Sequence, residues 1–223
     1  MNVNVPSVFF RFSGWALLIA GIMHTLIQFV HLDDVPEGMA QMSYFVDVAV
    51  WSHVALIFAV ALTLFGLTGL FLRHIAVLRW WGWVGFACMF LVFYYDVTHA
   101  VLQVFQYPIL FDGIQDEQKL KEVSDLVMRI QTESGIGSTL MRMLFPVMLL
   151  GTPLMAVSLW RARIYSKWPA VAQIVLLVVL FVPIEALMRY AFPVSFLVYS
   201  WYGALLAFER LNVPQASSAG HAA

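Results

Sequence analysis

The chain reads as an all-α, polytopic membrane protein, and three observations carry that reading. It is 62% hydrophobic and 11% charged, where a soluble domain is about half apolar and about a quarter charged. Its apolar residues gather into six runs of 18–31 residues, where ~20 suffice to cross a bilayer. Seven of its twelve Lys and Arg fall on one side of those runs, and the first loop on the other side has none, the asymmetry that orients membrane helices. With so little polar surface on 223 residues, the lipid bilayer is the partner that the composition demands.

The first run, 10–32, follows Arg11. Its apolar stretch, Phe12 to Val30, is longer than the roughly 7–15 residues of a signal-peptide core, so an uncleaved membrane helix is expected. The others are 46–72, 78–108, 138–160, 169–188 and 192–209. Trp80, Trp81, Trp83, Trp160, Trp168 and Trp201 lie near their ends, where amphipathic rings prefer the membrane interface. With the N-terminus inside, the inner segments hold Arg11, Arg73, Arg79, Arg161, Arg163, Lys167 and Arg210. The first outer loop, Asp33 to Phe45, has no Lys or Arg but holds Asp33, Asp34 and Glu37. Six transmembrane helices with both termini cytoplasmic follow, in the cell inner (plasma) membrane. Residues 1–211 make one domain, and 212–223 make a small, polar tail expected to be disordered.

The second outer loop, 109–137, is long. Leu120, Val123, Val127 and Ile130 form one helical stripe. Glu117–Lys121 and Asp125–Arg129 are possible i,i+4 pairs on the polar side. One amphipathic helix is expected there, lying on the outer surface. Ser138 is its successor's candidate cap.

Several classes are excluded. A net charge of −1 leaves no electrostatic footprint for nucleic acid. Cys88 is the only cysteine, so an intrachain disulfide, a cysteine-based zinc site and covalently attached haem are out. No lysine lies in a membrane run, which argues against a retinal Schiff base. There is no Gly-rich phosphate loop, G-x-S-x-G or H-E-x-x-H. No internal repeat is evident, so an inverted-repeat transporter is not supported.

The informative feature is polar. His24, His53, Asp96 and His99 fall within apolar runs, and ionisable groups at membrane depth point to function. His24, Gln28 and His31 share one face of the first helix, with His24 about 12 Å below its outer end at 1.5 Å per residue. Asp96, His99 and Gln103 share a face of the third. Asp47 sits at the outer mouth of the second helix, with His53 about two turns in. Arg142 and Glu185 enter the same outer layer, and Tyr94 and Tyr95 adjoin it. The inner halves of the helices are almost free of charge. Each residue has a plainer reading: histidine as an interhelical hydrogen bonder, Glu185–Arg189 as an i,i+4 ion pair, His74 as solvated beside Arg73. Pro146, Pro153 and Pro183 are expected to kink their helices, either lining a cavity or serving ordinary packing.

Three chemistries fit. In the first, His24, His53 and His99, with Asp96 as ligand or orienting group, hold a transition metal ion, or His24 and His99 hold non-covalent haem, for redox or hydrolytic use. In the second, a cofactor-free enzyme acts on a lipid, an isoprenoid or another hydrophobic small molecule, with Asp96 and Glu185 as acid and base and Arg142 beside them. In the third, the polar chain is a proton relay, a carrier or the contact of a structural subunit. The charge-free inner halves weigh against transport.

Overall fold

The computed structural model describes residues 5–133 and 135–209, with the backbone alone at 185 and 186. The tail at 212–223 and Arg210 lie outside the described residues. The helices are α1 (Ser7–Val30), α2 (Met42–His74, entered through a 3-10 turn at Met39–Gln41), α3 (Trp80–Leu110), α4 (Glu117–Glu133), α5 (Ile136–Ala162), α6 (Trp168–Val179), α7 (Glu185–Ser195) and α8 (Leu197–Ala207). No strand occurs among the described residues.

Five helical stretches are long and apolar enough to cross a membrane: Ser7–Val30, Met39–His74, Trp80–Leu110, Ile136–Ala162 and Leu187–Ala207. The expected run 169–188 differs. It is a 12-residue helix, α6, then irregular backbone at 180–184, then α7. Pro183 accounts for the break, because it has no N–H and disfavours helical backbone in the residue before it. Pro146 and Pro153, by contrast, sit inside a continuous α5.

α1 packs between α2 and α8 through small residues. A Cβ on Gly14 would strike Ala207, one on Gly21 would strike Ser200, and one on Gly66 would strike Leu17. Lipid tails are as apolar as Leu, so helices associate in a bilayer by such close approach rather than by hydrophobic expulsion. Leu17, Leu67, Leu70, Tyr202 and Leu206 fill the interior. Phe12, Trp51, Phe58, Phe105 and Ile109 face outward, as lipid-contacting residues do.

One end of the bundle is pinned by Glu209. It accepts hydrogen bonds from Arg73 Nε (2.9 Å) and the Tyr165 hydroxyl (2.9 Å). These bonds tie the end of α2 and the α5–α6 connection to the residue beyond α8. The Arg79 and Arg161 guanidiniums approach the Trp81 ring at 5.1 and 5.9 Å, at the same end. Burial works against a charged Glu209, but the bonds from Arg73 and Tyr165 and the Arg73 charge outweigh it, so its carboxyl lies below the ordinary range. Burial, reinforced by Glu209, pushes the Tyr165 hydroxyl up. His74 corrects an expectation: it is fully buried, not solvated. Its Nδ1 donates to the Leu70 carbonyl (2.7 Å), and its ring packs on Tyr165 at 5.2 Å.

At the opposite end, α4 packs its stripe of Leu120, Val123 and Val127 against Phe45, Tyr107, Phe111 and Ile114. The stripe therefore covers protein. The ion pairs also differ from expectation. Glu117 accepts from the Met39 N–H (3.1 Å), so Lys121 pairs with Asp125 (3.1 Å) and Arg129 with Glu133 (3.3 Å). Ser138 lies within the first turn of α5, and Gly135, at φ 66°, holds the cap position.

Candidate functional site

α1, α2 and α3 bring three imidazoles into a row. The His31 and His53 ring centroids are 5.2 Å apart, and those of His53 and His99 are 5.8 Å apart. His53 Nδ1 is 2.7 Å from the Ala49 carbonyl. A carbonyl only accepts, so Nδ1 carries the proton. In the neutral ring, Nε2 is then a bare lone pair, buried and without a hydrogen-bond partner. The Gln103 amide donates to His99 Nε2 (3.0 Å), which fixes the His99 proton on Nδ1.

Two cavities meet at this row. A small one of about 10 Å³ is bordered by His31, Asp34, Ser52, His53, Gln103 and Tyr107. That is room for about one water. A larger one of about 110 Å³ lies between α3, α4 and the start of α5. His99, Gln103, Gln106, Tyr107, Tyr95 and Gln131 give it a neutral, hydrogen-bonding wall, and Leu102, Val127, Ile130 and Met141 an apolar one. Gln103 and Tyr107 border both. The Tyr107 hydroxyl donates to the Asp34 carbonyl (3.0 Å) and so fastens the first outer loop to α3.

The residues singled out in the sequence separate into different places. His53 and His99 are in the row. His24 turns elsewhere: Nε2 is 3.1 Å from Thr63 Oγ1, and its ring stacks on Phe196 at 4.8 Å and lies 5.6 Å from Phe93. Thr63 gives its own proton to the Ala59 carbonyl (2.9 Å), so His24 Nε2 is the donor and Nδ1 is the bare, unpartnered nitrogen. Asp96 is half-buried on α3 and borders neither cavity of the row. Arg142 holds backbone and hydroxyl, not a carboxylate. It donates to the Thr132 carbonyl (3.0 Å) and to Ser138 Oγ (3.2 Å), clamping α4 to α5. The Glu185 side chain lies outside the described residues. Among the described residues, no group of three or more His, Cys, Asp or Glu is arranged to hold a metal ion.

Sequence reasoning passed over Tyr107 and Asp34 as site residues and placed His31 on the face of His24 without counting it among the candidates. Their signal was present. His99, Gln103 and Tyr107 follow i, i+4, i+8 on one helix face, and His31 lies two turns beyond His24. What spacing does not give is the fold-back of the loop after α1, which carries Asp34 onto α3.

No protein-family model matches this chain, and neither the curated proteins nor the solved structures contain a match.

Proposed function

We propose that this chain is an integral membrane protein of six crossings that binds a lipid-soluble small molecule and exchanges a proton with it at the His31–His53–His99 row. The observation that carries the reading is His53 Nε2. It is a buried lone pair without a partner, on the small cavity that shares Gln103 and Tyr107 with the neutral polar chamber under α4. An unpaired buried acceptor is costly, and a ligand hydroxyl that donates to it removes the cost. The chamber wall suits a neutral head with a few oxygens, and its apolar residues suit a hydrocarbon body.

Six crossings are supported by the two ends. Ser13 meets Gly69, and Arg73 and Tyr165 meet Glu209. Thus the start of α1, the end of α2, the α5–α6 connection and the end of α8 share one end, so the chain leaves and returns an even number of times. The Phe29 and Tyr190 rings are 6.2 Å apart, which carries the passage through α6 and α7 up to the far end of α1. The shared end holds Arg73, Arg79, Arg161, Arg163 and Lys167, against Lys119, Lys121, Arg129 and Arg142 at the α4 end, and this excess makes it the cytoplasmic one of an inner membrane. Metal ligation finds no converging group of three or more His, Cys, Asp or Glu among the described residues, and His24 and His99, the pair expected for haem, hydrogen-bond through Nε2 to Thr63 and Gln103, so this reading invokes neither.

The test is mass spectrometry of what co-purifies with the protein in mild detergent, with elemental analysis of the same sample. An apolar compound carrying oxygen, enriched with wild type and lost from His53→Leu and Gln103→Leu, is expected. Equal recovery from all three proteins overturns the site. Stoichiometric iron, copper or zinc that is lost in His53→Leu replaces it with ligation.

A further inference from the structure

The break between α6 and α7 opens the wall of the bundle. An apolar groove of about 490 Å³ is bordered there by Met141, Leu144, Phe145, Met148, Leu180 and Phe192, among others. Met148, Leu180 and Phe192 also border an inner cavity of about 70 Å³, so groove and cavity are contiguous. Irregular backbone at bilayer depth persists where it is buried or lines a cavity, and 180–184 borders this one at Leu180.

Gln173, on the cavity wall, is 6% exposed. Neither its amide nitrogen nor its amide oxygen has a hydrogen-bond partner. The Tyr199 side chain interacts with the amide without reaching hydrogen-bond geometry, and Tyr199 borders the same cavity. Such an amide in an apolar wall is costly unless something pairs with it. One hydroxyl answers both atoms, since it donates to Oε1 and accepts from Nε2. Among the described residues, no charged side chain borders the cavity or the groove, so an ionised phosphate or carboxylate head would find no partner among them.

We propose that groove and cavity form a lateral site for a single-chain neutral lipid, a long-chain alcohol whose tail lies in the groove and whose hydroxyl pairs with Gln173. Among the described residues, the inner cavity shares no bordering residue with the two at the histidine row, and the groove meets the larger of them at Met141, so substitutions at Gln173 and His53 test the two sites separately. His24 backs the alcohol site, packed on Phe196 and Phe93 of its wall.

The test is photolabelling of the full chain in phosphatidylcholine nanodiscs with hexadecanol carrying a mid-chain diazirine. Labels are expected on Met148, Leu180 or Phe192. Excess unlabelled hexadecanol should suppress them about tenfold while hexadecane does not, since only the alcohol satisfies the amide. Gln173→Leu should cut the labelling similarly. Equal suppression by hexadecane, or undiminished labelling of a folded Gln173→Leu, reduces the groove to bulk lipid contact and overturns the proposal. Should the variant fail to fold, the comparison of hexadecanol with hexadecane on wild type decides alone.

Discussion

His24 and His53 lie on neighbouring helices and hold their protons on opposite nitrogens. His53 gives its Nδ1 proton to a carbonyl of its own helix, one turn back, and leaves Nε2 free for an incoming group. His24 gives its Nε2 proton to Thr63 and buries its ring between Phe93 and Phe196. On the proposed function the first residue receives a ligand, while the second, its bare Nδ1 buried, joins helices through Thr63 and Phe196. Substitution should separate them. His53→Leu removes the unpartnered Nε2 together with the Nδ1 bond to the Ala49 carbonyl, which still accepts from Ser52 Oγ, and nearly keeps the volume, so unfolding in detergent should shift by no more than about 1 kcal/mol. His24→Ala empties a ring-sized space in the core and should cost about 2–5 kcal/mol, as large-to-small aromatic changes do. Equal losses in the two variants would contradict the division. Gly21→Ala tests the packing itself. A Cβ there meets Ser200 and the Phe196 carbonyl, and overpacking of this kind costs about 1–3 kcal/mol.

At the scale of elements, α4 closes the chamber at the histidine row, and Arg142 is its latch. The guanidinium bridges the Thr132 carbonyl, near the end of α4, to Ser138 on α5. Arg142→Ala should raise amide hydrogen exchange at 128–133 while the exchange of α1 and α2 stays unchanged. The loss at α4 should correspond to about 1–3 kcal/mol, the range for a hydrogen bond to a charged group. A uniform rise across the chain would show that α4 does not open alone. Periodicity made α4 legible beforehand, because Leu120, Val123 and Val127 repeat at helical spacing. It did not reveal that the stripe covers Phe45 and Tyr107, since an apolar stripe looks the same against lipid and against protein. The break after α6 was half legible. Pro183 was visible, but Pro146 and Pro153 carry the same signal and leave α5 unbroken. The histidine row was legible by depth alone. Depth put His53 and His99 together rightly, whereas only the rotation of α1 sends His24 to Thr63 and His31 to the row.

Across the whole molecule, charge divides the two ends, and Glu209 fastens the basic one. It is the carboxylate that meets Arg73 and Tyr165, with its side chain 16% exposed, and it joins three parts of the chain that are distant in sequence. Its carboxyl is held below the ordinary range, since the Arg73 and Tyr165 bonds outweigh the opposing effect of burial. The sign of the pH dependence follows. A group whose folded pKa is depressed adds stability that is fully present above its unfolded value, about 4.3 for Glu. That stability is lost as the pH falls through the folded value. Thermal unfolding in detergent, followed from pH 7 to pH 3, should therefore show wild type more stable than Glu209→Gln at neutral pH. The gap should close only below about pH 4. Arg73→Gln should narrow it at every pH, because it removes the partner that holds the carboxyl down. A gap that stays constant across the range would mean that the ion pair does not hold the end of α8 to α2, and the shared end would then rest on helix packing alone.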